Sequence, residues 1–282
     1  MDGEMRVNEL AKFIFERHNI FKLRALGFPK PWTDDPILQN YRFCNVYREN
    51  DRETIWIANN WRDPHKYEPE VWFAMAVARF VNWSPSLEVI GYPVPWNAKQ
   101  FITALHGRAM VGEKVFTGAY MIPAGNSGLN KANFLAEKIL TPLWERRDYV
   151  LESCFSCHAF SQRLQEFNGI GSFMAGQIVC DTKFTRLLDT ALDWWEFAVE
   201  GPGSKRGLNR VCNRPINQNW KRGEWWIKLM ELKARISPTI EIEWKMPRIS
   251  AQDLQNCLCE FDKYERVRLG EGRPRSHYLG GK

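Results

Sequence analysis

Residues 69 to 83 read PEVWFAMAVARFVNW, and between Val71 and Val81 only Arg79 carries a polar side chain. An element apolar on every face has to be surrounded by others, so this stretch predicts a central helix with Pro69 at its first position. Neighbouring segments supply helices to cover it. From Asn8 to Leu26, the residues Leu10, Phe13, Ile14, Ile20, Phe21 and Leu23 recur near helical spacing, and Gly27, Pro29 and Pro31 close the run. Ile37, Tyr41, Cys44, Tyr47 and Ile55 to Ile57 suggest two further helical segments around a polar centre. The pattern turns helical again from Asn130 to about Leu164. No alternation of strands and helices suited to a doubly wound sheet is present, so the expected class is mostly α.

Residues 91 to 130 differ from the rest. They hold GYPVPW and TGAYMIPAGNSG beside the β-favouring piece KVFTGAYMI, which predicts a small hairpin or irregular insert. A chain of 282 residues can bury a sizeable core. One intimate unit over 1–282 is expected, with two lobes at about 35–130 and 131–280 as its possible subdivision.

Residues 164 to 178, LQEFNGIGSFMAGQI, interrupt the helical pattern with Gly169 and Gly171 around Ile170. Two glycines permit a tight turn with positive φ, Ile170 fills the gap between the flanking helices, and Ala175 lets them approach. The N–H groups of Gly171 and Ser172, at the start of the second helix, then form a seat for a phosphate. A plain αα-hairpin uses the same residues and is the competing reading. The pattern resembles the helix-hairpin-helix motif of the DNA glycosylase superfamily, a clamp on the DNA backbone placed here at 164–180. That resemblance implies Gly169, Gly171 and Ser172 as backbone contacts and a catalytic aspartate further along, at the head of another helix. Asp193, 22 residues past Gly171 and directly before Trp194 and Trp195, is preferred over Asp189 at 18, while Asp181 is too close to the hairpin.

A second stretch, GPGSKRGLNR at 201–210, combines three glycines, a serine and three cations. Glycine N–H groups can surround phosphate oxygens, and Lys205, Arg206 and Arg210 can neutralise them, so Gly203, Ser204 and these cations are expected to hold pyrophosphate. The alternative is a basic surface loop after a helix C-cap. No stretch fits Gly-x-x-x-x-Gly-Lys-Ser/Thr, which leaves kinase or ATPase activity on a P-loop without support in this chain. In YRFCNVYRENDRE, Arg48, Asp51 and Arg52 stand at helical spacing, with Arg48 and Arg52 on one face. They serve either phosphate or carboxylate binding or an internal ion-pair network. CEFDKYERVR places Glu260, Lys263 and Tyr264 together, with Asp262 pointing elsewhere.

The stretches NVYRENDR (45–52), GPGSKRGL (201–208) and CEFDKY (259–264), with the hairpin between the first two, resemble the α-glutamyl/putrescinyl thymine pyrophosphorylases and the related helical domain of 5-hydroxymethyluracil DNA kinases. The resemblance covers about residues 35–280. It implies a helix-hairpin-helix DNA glycosylase-like fold, a role in bacteriophage thymine hypermodification, and double-stranded DNA with modified thymine as substrate. It further implies a transferase that replaces the pyrophosphate of an activated 5-hydroxymethyluracil in DNA with an amine or amino acid, the base leaving the stack for the reaction. In such a reaction Lys205, Arg206 and Arg210 would stabilise the leaving group, and Asp193 the cation-like carbon or the amine proton. The alternatives are a glycosylase that excises a modified base, and a non-catalytic DNA-binding partner of a 5-hydroxymethyluracil DNA kinase.

Charge and cysteine use limit the remaining classes. Residues 200–282 hold 17 Lys and Arg against 10 Asp and Glu, so the C-terminal part is the expected polyanion face. With no apolar leader and no apolar run of about 20 residues, a soluble, cytoplasmic protein of a phage-infected bacterium is expected. Seven cysteines without a secretory signal argue for reduced thiols. CFSCH at 154–158 fits the haem attachment pattern only by chance, and a zinc site from Cys154, Cys157, Cys257 and Cys259 is weaker than buried free thiols. No cofactor and no metal are expected.

Overall fold

The computed structural model describes residues 5–117, 130–274 and 277–278. The chain opens with α1 (Val7–Ala25), α2 (Pro36–Asn40), α3 (Arg52–Ile57), α4 (Val71–Val81), α5 (Ser84–Ile90) and α6 (Ala98–Met110). It continues with α7 (Lys131–Phe134), α8 (Thr141–Glu145), α9 (Arg147–Leu151), α10 (Cys157–Leu164) and α11 (Ser172–Thr182). The last helices are α12 (Pro202–Val211), α13 (Glu224–Ser237) and α14 (Ala251–Arg268), and π-helical turns prolong α3, α7 and α13. The expected mostly-α class is met: among the described residues β pairing is confined to an isolated bridge between Tyr41 and His277. No helix of the described residues is long and apolar enough to cross a membrane.

The chain divides into two compact units, and the division does not fall near residue 130. Met1–Asp51 and Ala198–Lys282 together form a terminal unit, and Arg52–Phe197 forms a central unit. In the terminal unit, Leu10, Phe13 and Ile14 of α1 meet Leu229, Leu232 and Ile236 of α13 and Leu254, Leu258 and Phe261 of α14 in one core. Full burial of each such side chain is worth roughly 1.5–3 kcal/mol, so the two chain ends are bound to each other mainly by these contacts.

The central unit is built round α4, where every residue from Val71 to Val81 is buried. This helix starts two residues later than the sequence predicts, with Glu70 as N-cap and Pro69 in the preceding turn. Its lone cation is accounted for by α11: Arg79 Nη2 donates to Asp181 Oδ1 at 2.6 Å, and its Nε reaches the other carboxylate oxygen. Arg79 also donates to Thr54 at 3.0 Å and to Asn82 at 3.2 Å, so the buried guanidinium is closely surrounded by acceptors. Asp181, close to the hairpin as the sequence indicated, is thus a structural counter-ion.

The expected insert at 91–130 is corrected in part. Ala98–Met110 is the regular helix α6, started by Asn97, whose side chain accepts from the Gln100 amide at 3.0 Å. Residues 118–129, which include most of TGAYMIPAGNSG, lie outside the described residues.

Candidate functional site

The glycine stretch of the central unit forms the turn between α10 and α11. Gly169 has φ +86°, and a Cβ there would come within 2.7 Å of Ile139 Cδ1. Ile170 is buried at 3% exposure, and Ala175 is fully buried, as the hairpin reading requires. Gly171 is the N-cap of α11 with φ −82°, and no side chain caps the helix there. Nothing lies within 4 Å of where a Cβ on Gly171 would stand. Gly171 and Ser172 are both exposed, so the N–H groups of this first turn face outward.

Asp193 does not head a helix. It lies in a turn, half-buried, and its carboxylate is directed at the start of α10. Oδ1 accepts from the Cys157 amide and Oδ2 from the His158 amide, both at 2.8 Å. Ser156, the N-cap, accepts from Ala159 at 3.0 Å, so α10 is capped both locally and from across the unit. Burial, followed by the nearby Asp193 charge, pushes the Cys157 thiol up, and it is a thiol rather than a thiolate at neutral pH. Asp189 is exposed.

Lys183 lies beside this turn and was passed over in the sequence. It is 3% exposed, with Nζ 3.8 Å from the centroid of the Trp194 ring and 3.5 Å from the Trp194 carbonyl. The Trp194 indole in turn donates to the Lys183 carbonyl at 2.7 Å. A lysine at the end of a strongly apolar helix was the only available signal. Leu192, 98% exposed, and Phe155, 71% exposed, adjoin Asp193 and the α10 start in sequence.

The second motif is corrected, because GPGSKRGLNR forms helix α12 where a phosphate-cradling loop was expected. Gly203 and Gly207, four residues apart, share the face turned to α14. A Cβ on Gly203 would overlap Cys259 Sγ, and one on Gly207 would overlap the Leu258 carbonyl. Gly207 lies in the body of the helix and Gly203 in its first turn, and both serve close packing. Ser204 is buried, and its hydroxyl accepts from the Gly201 amide at 3.1 Å.

The cations of α12 are paired. Lys205 contacts Glu200 at 2.6 Å. Arg206 and Arg210 bind the two oxygens of buried Asp262 through Nε at 2.9 and 3.0 Å, and Arg266 approaches it at 3.4 Å. Arg210 also pairs with Glu271. Asp262 therefore gathers three guanidinium groups, of which Arg206 and Arg266 keep about a third of their side-chain surface in solvent.

Arg48 and Arg52 do not share a helix face. Arg48–Asn50 is a single 3-10 turn, Asp51 is extended with ψ 136°, and Arg52 opens α3 in the other unit. The Arg48 amide donates to Asp253 at 3.2 Å, Asp51 accepts from the Asn45 amide at 3.3 Å, and Arg52 pairs with Glu53 at 2.7 Å. Glu260 pairs with Lys263, as their spacing suggested, while the Tyr264 hydroxyl donates to Asp35 at 2.6 Å. Cys154 and Cys157 belong to the central unit, Cys257 and Cys259 to the terminal one.

The comparisons with known proteins agree with one another. The family model described as "5-hmdU DNA kinase, helical domain" matches residues 4–273. The chain is 27% identical over 279 residues to a "5-hmdU DNA kinase" of Bacillus phage SP10, an alignment covering 89% of this chain and 43% of that protein. It thus spans less than half the length of that relative. No solved structure gives a significant match. With its match running through both units, the chain belongs to the family of 5-hmdU DNA kinase helical domains.

Proposed function

We propose that this protein acts in the 5-hydroxymethyluracil modification of phage DNA, and that it replaces the pyrophosphate of an activated 5-hydroxymethyluracil with an amine or amino acid. The family match over 4–273 carries the reading. The open start of α11 after Gly171 supports a helix-hairpin-helix grip on duplex DNA, since internal packing makes no demand for glycine at that position. Exposed Leu192 and Phe155 beside the Asp193 turn are suited to stacking against bases once the modified one leaves the helix.

In the reaction the bond from the exocyclic methylene carbon to the pyrophosphate oxygen breaks and a carbon–nitrogen bond forms. The amine loses a proton, and pyrophosphate leaves. Asp193 is held in place by the Cys157 and His158 amides, and each of its oxygens keeps a second lone pair for a cation-like carbon or an ammonium proton.

The test is incubation of DNA bearing pyrophosphorylated 5-hydroxymethyluracil with a panel of amines, then digestion to nucleosides and mass spectrometry. New aminated thymidines with released pyrophosphate support the reaction. Abasic sites would show a glycosylase instead, and an unchanged nucleoside profile across the panel sinks the transfer.

A second reading is favoured by one observation: both Asp193 oxygens, and every cation of α12, already have partners within their own unit. On this reading the chain is a DNA-binding domain that presents modified DNA to a kinase. Asp193→Ala separates the two, because a binding domain keeps DNA affinity and pathway output while a transferase loses the output alone.

A further inference from the structure

The buried arginines of this protein are not alike. Arg62, Arg79 and Arg210 each pair with a carboxylate: Asp63, Asp181 and Asp262. Arg17 of α1, 4% exposed, has none among the described residues. It donates through Nη2 to the Cys44 carbonyl, lies 5.1 Å from the face of Phe13, and is close enough to the buried Cys257 thiol to interact with it. Its Nε and Nη1 donors are buried without a hydrogen-bond partner among the described residues. Burial pushes the nearby Cys257 thiol up to about 11, so that neighbour is neutral. Glu260 stands close by, but it is bound by Lys263 and by the Cys44 amide.

A guanidinium cannot shed its charge, and a buried charge without a counter-charge is costly. An arriving anion would supply that counter-charge. Arg17 lines a pocket in the terminal unit together with Arg24, Phe43, Cys44, Asn45 and Tyr278, and no carboxylate is among the lining residues. The pocket has about 260 Å³ of empty space, open solvent included, with room for about one water molecule. That shape suits the oxyanion end of a ligand rather than a whole base. The Arg24 guanidinium and the Lys30 ammonium stand 5.6 and 5.3 Å from the ring centroid of Tyr278, a lining residue, and add positive charge beside it.

Asn45, the first residue of the stretch NVYRENDR, lines the same pocket. Asn45 is fixed from three sides: its amide donates to Asp51, its side chain donates to the Asn50 carbonyl at 2.7 Å, and its carbonyl accepts from Asn256 at 3.2 Å. The motif thus holds a rigid turn against the arginine.

We propose that Arg17 anchors a phosphate-type oxyanion in this pocket, either free phosphate or pyrophosphate or a phosphoryl group carried on nucleic acid. The site belongs to the terminal unit, the Asp193 turn to the central one, and the proposal does not depend on the amine transfer above. Titration calorimetry of the full chain at fixed ionic strength, with sodium pyrophosphate, sodium phosphate and a short oligonucleotide in separate arms, tests it. Pyrophosphate or phosphate is expected to bind, Arg17→Met to weaken the binding by about tenfold or more, and Arg24→Ala to weaken it less. Binding of the oligonucleotide alone, with the same dependence on Arg17, assigns the phosphoryl group to nucleic acid.

Thermal melts give an independent readout. In anion-free buffer Arg17→Met should melt no lower than the parent, because it removes an uncompensated buried charge, and should lose the upward shift that pyrophosphate gives the parent. No binding by the parent in any arm, or undiminished binding by Arg17→Met, overturns the proposal. Should Arg17→Met fail to fold, Arg17→Lys and Arg24→Ala carry the comparison, and undiminished binding in both is equally decisive against it.

Discussion

FNGIGS at 167–172 and GPGSKRG at 201–207 are both short, glycine-rich and polar, and both invite a phosphate-binding interpretation. Their structures diverge. In the first, Gly169 takes a positive φ and Gly171 leaves the start of α11 open, with nothing standing where its side chain would be. In the second, Gly203 and Gly207 are helical and pressed onto Cys259 and Leu258 of α14, and the intervening cations are tied to carboxylates. Glycine spacing distinguishes them: a separation of two makes a turn possible, whereas a separation of four places both on one helix face. The first stretch keeps its polar backbone groups for something outside the chain, and the second uses its small residues for the interior.

Substitutions can break this contrast, and the largest effect belongs to the second stretch. Asp262→Ala leaves Arg210 buried beside Arg206 without their shared carboxylate, and chemical denaturation should show a loss of about 3–5 kcal/mol. A loss under 1 kcal/mol would mean that the α12 cations are not held as described.

Gly207→Ala comes next. Its Cβ meets the backbone carbonyl of Leu258, which cannot rotate away, so a cost of about 2–3 kcal/mol is expected from denaturant midpoints. Gly203→Ala meets the movable Cys259 side chain instead and should cost less.

In the central unit, Asp193→Ala removes the acceptor for the first two amides of α10. Capping losses of this kind run at about 1 kcal/mol, readable as a lowered melting temperature or as faster amide exchange at Cys157 and His158. Unchanged exchange there would show the cap to be dispensable.

Smallest of all, Gly171→Ala should alter stability by less than about 0.5 kcal/mol, since its φ is ordinary and the space is open. Its effect should appear in DNA affinity instead, measured by fluorescence anisotropy at low salt. If affinity is unaffected, the turn is a plain αα-hairpin and the contrast between the two stretches loses its functional half.

Local sequence made some of these features legible. The all-round apolarity of residues 71–81 led directly to α4 at the centre of its unit, and the run after Asn8 to α1. Gly169, Ile170 and Ala175 took the places that their sizes require. Arg48 and Arg52 misled because spacing alone says nothing about continuity: Asp51 is extended, and the periodicity spans a break between two units. Asp193 is the carboxylate that the sequence singles out, but its attachment to α10 joins residues 35 and 36 positions apart, which no local pattern encodes. Lys183 and Arg17 gave little signal because a charged residue in a helix is ordinarily solvated, and only packing reveals when it is not.

By itself the sequence determined the helical class, the central element and the turn geometry, since these follow from side-chain size, backbone freedom and periodicity over a few neighbours. The chain's ends closing into one unit, the packing of Gly203 and Gly207 against α14, and an arginine without a carboxylate among the described residues were decided only by tertiary structure. They depend on which distant residues meet: the same glycine or cation is a binding group in water and a packing or pairing group once another helix lies against it.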